Sequence, residues 1–132
     1  MFCGPLEDRI AIRELVDAYT DAIHQRDEQA WGSTWTDNGV WHVGGAEIRG
    51  RDQIVGAWRE AMAGFNFVSF QAAPGMIAVD GVKASARIYT SEYLVDHQEK
   101  IVEIRGQYDD NLLKTDGGWR FQSRIYTILR VI

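Results

Sequence analysis

The chain is poor in the residues that several kinds of protein depend on. It has one cysteine, Cys3, and two prolines, Pro5 and Pro74, in 132 residues. A single cysteine cannot close a disulfide within the chain, so this is not a disulfide-stapled scaffold, and a reducing compartment suits it. Cys3 reads either as a nucleophile or, more plainly, as a residue of a frayed terminus. No apolar run reaches the ~20 residues a membrane helix needs, and Met1–Pro5 has neither the basic nor the apolar stretch of a secretory leader. The expectation is a cytoplasmic chain that makes no use of a membrane. No basic run offsets the net charge of −5, which argues against nucleic acid as a partner. The three histidines, His24, His42 and His97, are scattered without metal-ligand spacing. Glycine-rich phosphate loops, nucleophile elbows and dinucleotide fingerprints are also missing, so neither a metal nor a cofactor is expected.

What is present is an ordinary globular composition, 45% hydrophobic and 25% charged, at a length that fits one domain over residues 1–132. From Asp8 the apolar residues Ile12, Leu15, Val16, Tyr19 and Ile23 recur on one helical face. A break near Arg26-Asp27 precedes a second helix, about Asp27 to Thr36, with Asp27 as its cap. Thr36-Asp37-Asn38-Gly39 reads as a turn. Val40–Val43 and Glu47–Arg49 read as short strands around Gly44-Gly45. A third helix, about Arg51 to Ala63, would bury Ile54, Val55, Trp58 and Met62. The rest is β: Phe67–Gln71 and Met76–Val79 with a bend or bulge at Pro74-Gly75, then Val82–Val95, Ile101–Lys114 and Trp119–Val131, joined by the Asp80-Gly81 and Asp116–Gly118 turns and a polar loop at 96–100. This order, α-α-β-β-α-β-β-β-β, describes an α+β fold in which a strongly curved, mostly antiparallel sheet wraps the first helix.

Alternation assigns the faces of the long strands. Val82, Ala84, Ala86, Ile88, Thr90, Glu92 and Leu94 form one inner parity. Val102, Ile104, Gly106, Tyr108, Asp110 and Leu112 form the other. Two carboxylates, Glu92 and Asp110, therefore sit on apolar parities. An unpaired ionised carboxylate there would cost several kcal/mol. Each must meet solvent at a strand end, find a donor such as an arginine, or carry a raised pKa suited to acid–base work. The outer parity, with Arg87, Tyr89, Tyr93, Arg105 and Gln107, suits a subunit interface as well as a solvated face.

Several runs together carry a resemblance. Tyr19-x-x-Ala22-x-His24-x-x-Asp27-x-x-x-Trp31-x-x-x-Trp35-Thr36-Asp37 is similar to the opening of SnoaL-like proteins of the nuclear transport factor 2-like superfamily. Gly50-Arg51-Asp52-x-Ile54 is similar to the start of their third helix. Gly106-x-Tyr108-x-Asp110 and Asp116-Gly117-Gly118-Trp119-Arg120-Phe121 are similar to their last two strands. The resemblance covers nearly the whole chain and implies a cone-shaped α+β barrel with a pocket. It also implies cofactor-free acid–base chemistry of the dehydratase, dehydrochlorinase or cyclase kind, although the family includes non-catalytic binding members. In its lyase members an aspartate at the end of the first helix orients a histidine on the strand after the third helix. Gapless matching puts His24 and Gln71 at those two positions, and Gln71 cannot act as a base. Glu92 falls where scytalone dehydratase has a second pocket histidine, and Gly106 and Tyr108 fall at pocket-lining positions. The resemblance further implies a homo-oligomer, dimer before trimer, through the outer sheet face.

The candidate catalytic residues are thus Tyr19, His24, Glu92 and Asp110, and the candidate substrate-binding residues are Trp41, Val43, Gln71, Gly106 and Tyr108. His24, oriented by Glu92 or Asp110, would make a relocated acid–base pair, although it lies off the apolar stripe of its helix and equally fits a surface histidine. Tyr19 would polarise a carbonyl or simply pack in the core. Trp41 and Tyr108 would line a pocket for a flat, small apolar or aromatic molecule. Trp31, Trp35, Trp58 and Trp119 are expected in the core, with His42 outside. Three readings follow: a cofactor-independent lyase or isomerase acting on a small cyclic molecule, a non-catalytic binding pocket, or an oligomerisation module.

Overall fold

The computed structural model describes all residues, Met1–Ile132. The elements are β1 (Phe2–Cys3), α1 (Leu6–Gln25), α2 (Glu28–Gly32), β2 (Trp35–Val43), β3 (Ala46–Arg49), α3 (Arg51–Ala63), β4 (Phe65–Asp80), β5 (Lys83–Asp96), β6 (Ile101–Thr115) and β7 (Gly118–Val131). The seven strands form one sheet in the order β1-β4-β5-β6-β7-β2-β3. Pairing is antiparallel except for β1 with β4 and β2 with β7. The sheet has two free edges, β1 and β3, and curves around α1 without closing on itself, the cone-like α+β architecture that the resemblance implies.

α1 lies in the hollow of this sheet. Its stripe of Ile12, Leu15, Val16, Tyr19 and Ile23 is buried, as the spacing predicts. Asp8 anchors its first turn by accepting from Trp119 Nε1 at 3.0 Å and Lys114 Nζ at 2.9 Å. These two hydrogen bonds hold its carboxyl below the ordinary range. The helix ends where Arg26 turns left-handed (φ 52°). The Arg26 guanidinium then donates to Met62 O at 3.1 Å and Phe65 O at 2.8 Å, tying the end of α1 to the α3–β4 connection. Trp31 and Trp58 stack at 4.7 Å between α2 and α3, and Trp35 and Trp119 are also buried.

Two local expectations are corrected. The second helix does not reach Thr36. Asp27 caps it by accepting from Ala30 N at 3.0 Å, but it stops at Gly32. Phe121 N donates to Thr34 O at 2.8 Å, drawing the chain into the sheet beside β7. The Thr36–Gly39 turn signal is real but sits inside β2. Trp35 pairs with Phe121 and Val40 with Ser123, so residues 36–39 bulge opposite residue 122 alone. In β4, Gly75 is the bulged residue between the Pro74–Ile88 and Met76–Arg87 pairs. That extra residue lets Phe70 and Ile77 both face inward although they are an odd number of positions apart.

The face assignments of β5 and β6 hold except at Val82, which lies exposed in the turn before β5. Ala84, Ala86, Ile88, Thr90 and Leu94 are buried, as are Gly106, Tyr108, Asp110 and Leu112, while Arg87, Tyr89 and Tyr93 are exposed on the convex side. No helix is long and apolar enough to cross a membrane.

Candidate active site

Between α1, α3 and the concave sheet lies a cavity of about 170 Å³. Tyr19 and Ile23 reach it from α1, Trp41 and Val43 from β2, and Trp58, Ala61 and Met62 from α3. The strands add Phe65, Val68, Phe70, Leu94, Tyr108 and Tyr126. Glu92 is the only carboxylate in the lining. The volume compares with the roughly 150 Å³ apolar cavity that holds one benzene molecule, so the space suits a single small ring.

Glu92 stands on the inner face of β5, partly buried. Its Oε2 accepts a hydrogen bond from the Tyr126 hydroxyl. Burial pushes its carboxyl above the ordinary carboxylate range, and the Tyr126 bond holds the rise down in part. The Tyr126 phenol is itself raised, by burial and then by the neighbouring Glu92, so it stays protonated and keeps donating.

Three further polar groups converge on the cavity. Trp41 Nε1 donates to the Tyr108 hydroxyl at 3.1 Å, and the Tyr19 and Tyr108 hydroxyls are 3.3 Å apart. Burial raises both phenols, Tyr108 strongly, so both carry their protons at neutral pH. The cluster then has three hydrogens, one indole N–H and two phenolic O–H, and only two oxygens. Whichever phenol donates to the other, one O–H has no acceptor within the cluster. A ligand oxygen would supply one.

Behind these phenols lies a buried ion pair. Arg124, 1% exposed, donates through Nε and Nη2 to the two oxygens of Asp110 at 2.8 and 3.0 Å. Its guanidinium packs 3.7 Å from the Tyr108 ring centre, 4.0 Å from Phe121 and 4.5 Å from Tyr19. Such contacts contribute about 0.5–2 kcal/mol each when desolvated. Burial pushes Asp110 up and the arginine pulls it back; burial works against the charged Arg124, and the carboxylate outweighs it. The two-fold contact favours the ionised form of the pair, which sets the guanidinium charge behind the phenol donors.

The structure therefore brings Tyr19, Trp41, Val43, Glu92 and Tyr108 together around one space. It places four other candidates elsewhere. Asp110 lies beneath the phenols with both oxygens occupied by Arg124. Gly106 does not line the cavity; a Cβ there would overlap the Tyr126 ring, so its bareness seats Tyr126. Gln71 is exposed because Phe70 takes the inward position on β4. His24 is exposed on the side of α1 away from its apolar stripe, and its Nε2 lies 2.7 Å from Phe70 O and 3.2 Å from Phe70 N. The ring is occupied with the backbone of β4, and no pairing with Glu92 or Asp110 forms. Replacing His24 with alanine is expected to cost about 1 kcal/mol, the worth of one hydrogen bond. It should leave any turnover at the cavity nearly unchanged; urea unfolding alongside a rate measurement checks both.

Two residues at the site, Arg124 and Tyr126, escape sequence alternation. Continuing the parity of the buried Trp119 and Phe121 would turn Ser123 and Ile125 inward. A bulge at Gln122, between the Leu112–Phe121 and Asn111–Ser123 pairs, exchanges the faces. The available signal was Asp110 itself: a carboxylate on an inner parity calls for a cation on a neighbouring strand, and Arg124 is its direct cross-strand partner.

The fold and site together define an open, curved α+β sheet around a helix, holding an apolar cavity with one carboxylate in its lining. The chain belongs to the SnoaL-like domain family, which matches residues 4–125. No curated protein matches the sequence. Several solved structures share its architecture. A provisionally assigned aromatic ring hydroxylase from Novosphingobium aromaticivorans is 23% identical, the match covering 98% of this chain and 95% of that one, with a TM-score of 0.90. A provisionally assigned scytalone dehydratase from the same species is 18% identical over 96% and 87%, TM-score 0.88. A hexachlorocyclohexane dehydrochlorinase from Novosphingobium barchaimii is 16% identical over 96% and 90%, TM-score 0.86. At these identities the likeness is one of fold.

Proposed function

We propose that this protein is a cofactor-independent isomerase or lyase that moves a proton beside the carbonyl of a small, neutral, mostly apolar cyclic molecule. One observation carries the reading: a desolvated carboxylate, Glu92, shares an apolar cavity with phenol donors that have one hydrogen to spare. Glu92 takes a proton from the carbon next to the carbonyl. The C–H electron pair moves onto the carbonyl oxygen, where Tyr19 or Tyr108 donates to the developing enolate and the Arg124 charge supports it. Glu92 then returns the proton to a different carbon, which is isomerisation, or to a departing β-hydroxyl, which releases water. The name of the dehydratase neighbour is in keeping with the second outcome, and that of the dehydrochlorinase with an elimination of the same kind. No free cation lines the cavity, so an anionic substrate is disfavoured.

The conversion of 3-cyclohexenone to its conjugated isomer, followed by ultraviolet absorbance, tests this. The ring fits the space and its C2 hydrogens are acidic. The expected result is a saturable rate that rises with pH through an inflection above the ordinary carboxylate value, since only ionised Glu92 is a base. A rate no greater than that of a carboxylate buffer, with the ketone nevertheless bound, would favour the non-catalytic pocket instead.

A further inference from the structure

Three adjacent strands meet beside Glu92 in a way that the acid–base reading alone does not require. Thr90 and Glu92 lie two apart on the inner face of β5. Thr90 pairs directly with Gly106 on β6. Over Gly106 lies the Tyr126 ring from β7, in a place that any side chain at 106 would fill. That ring also packs against Tyr108, with centres 4.8 Å apart. The Tyr126 hydroxyl spends its hydrogen on Glu92 Oε2. Thr90 Oγ1, buried beside this ring, makes no hydrogen bond, although the nearby hydroxyl lowers the proton affinity of the Tyr126 phenol.

We propose that Tyr126, seated in the notch formed by Gly106 and Thr90, is the positioning residue of the site: it engages one oxygen of Glu92 and so directs the other at the substrate. The proposal rests on Glu92 being the proton acceptor. A carboxylate has two equivalent oxygens and a soft terminal torsion. No other side chain hydrogen-bonds the Glu92 carboxylate. A donor locked by ring packing on two sides removes that freedom and assigns Oε1 to the reacting proton. Gly106 acts only by leaving room.

The test is independent of turnover. Carbon-13 NMR of labelled Glu92 follows its titration in the full chain, alone and with Tyr126→Phe, Thr90→Val or Gly106→Ala. Tyr126→Phe removes the donor and is expected to shift the Glu92 inflection upward. Thr90→Val, close in shape, shifts it in the same direction by less. Gly106→Ala displaces the ring and shifts it about as far as Tyr126→Phe. In a Tyr126→Phe background neither of the other two changes moves the inflection further, because both act through the lost hydroxyl. In the 3-cyclohexenone assay Tyr126→Phe should lower kcat with little change in KM. An unmoved inflection in Tyr126→Phe overturns the proposal, as does a Thr90→Val shift that persists without the Tyr126 hydroxyl. Thr90→Val keeps the question answerable if Gly106→Ala does not fold. If the inflections move as stated while the ketone is never converted, the positioning stands and the catalytic reading fails.

Discussion

Glu92→Gln is expected to lower the rate of 3-cyclohexenone isomerisation by roughly 10²–10⁴-fold, the usual worth of a placed general base. The amide keeps the shape and still accepts from Tyr126, but it cannot take a proton. Substrate affinity should change little, since the cavity wall is otherwise intact. The same substitution has a second, opposite consequence. The Glu92 pKa is raised in the folded state by burial, above its ordinary value of 4.5. The folded state therefore holds the proton more tightly than the unfolded chain, and stability falls as pH rises through the interval from that ordinary value to the folded one. Glutamine does not ionise and escapes this loss. Thermal unfolding should show Glu92→Gln more stable than the parent at neutral pH, with the difference vanishing below about pH 4. A variant less active yet less stable at neutral pH would mean that Glu92 serves the fold and not the chemistry.

Arg124→Met is expected to be the most damaging single change to the fold. It removes the partner of Asp110, which is 3% exposed, and breaking a buried pair from one side costs about 3–5 kcal/mol. Against a typical total of 5–15 kcal/mol this is a large fraction. The loss should be smallest at low pH, where Asp110 protonates and the stranded charge disappears. Replacing both members, Asp110→Leu with Arg124→Met, removes the charge problem and should recover most of the stability, since apolar substitutes of similar volume are often neutral or better. Urea midpoints of the two single variants and the double variant decide the matter. Single variants within about 1 kcal/mol of the parent would show that the pair does not hold the fold together. The double variant would still lack the positive charge behind Tyr19 and Tyr108, so it should fold yet turn over ketone slowly.

Much of this was legible in the residues, for definite reasons. A two-residue period over strands as long as β5 and β6 leaves little freedom in assigning faces, so Glu92, Asp110 and Tyr108 stood out as inward-facing. The stripe on α1 likewise fixed Tyr19 inward and put His24 off the buried face. What periodicity cannot register is a bulge. One extra residue at Gln122 carries Arg124 and Tyr126 inward, and the bulge of Thr36–Gly39 opposite one residue makes a turn signal part of a strand. Matching by position to relatives failed in a similar way at Gln71: alternation from the buried Phe70 turns it outward, whatever residue the family holds there. The absence of a side chain was the quietest signal. The resemblance makes Gly106 a wall of the pocket, whereas its empty side is occupied by Tyr126.

The most direct measurement is hydrogen exchange into a bound ketone. Cyclohexanone incubated with the protein in deuterium oxide should gain deuterium beside its carbonyl, at a rate that rises as Glu92 ionises and that Glu92→Gln reduces to the buffer background. Equal exchange in the two proteins, or none above buffer in either while the ketone is seen to bind, would contradict the assignment of Glu92 as the base of this cavity.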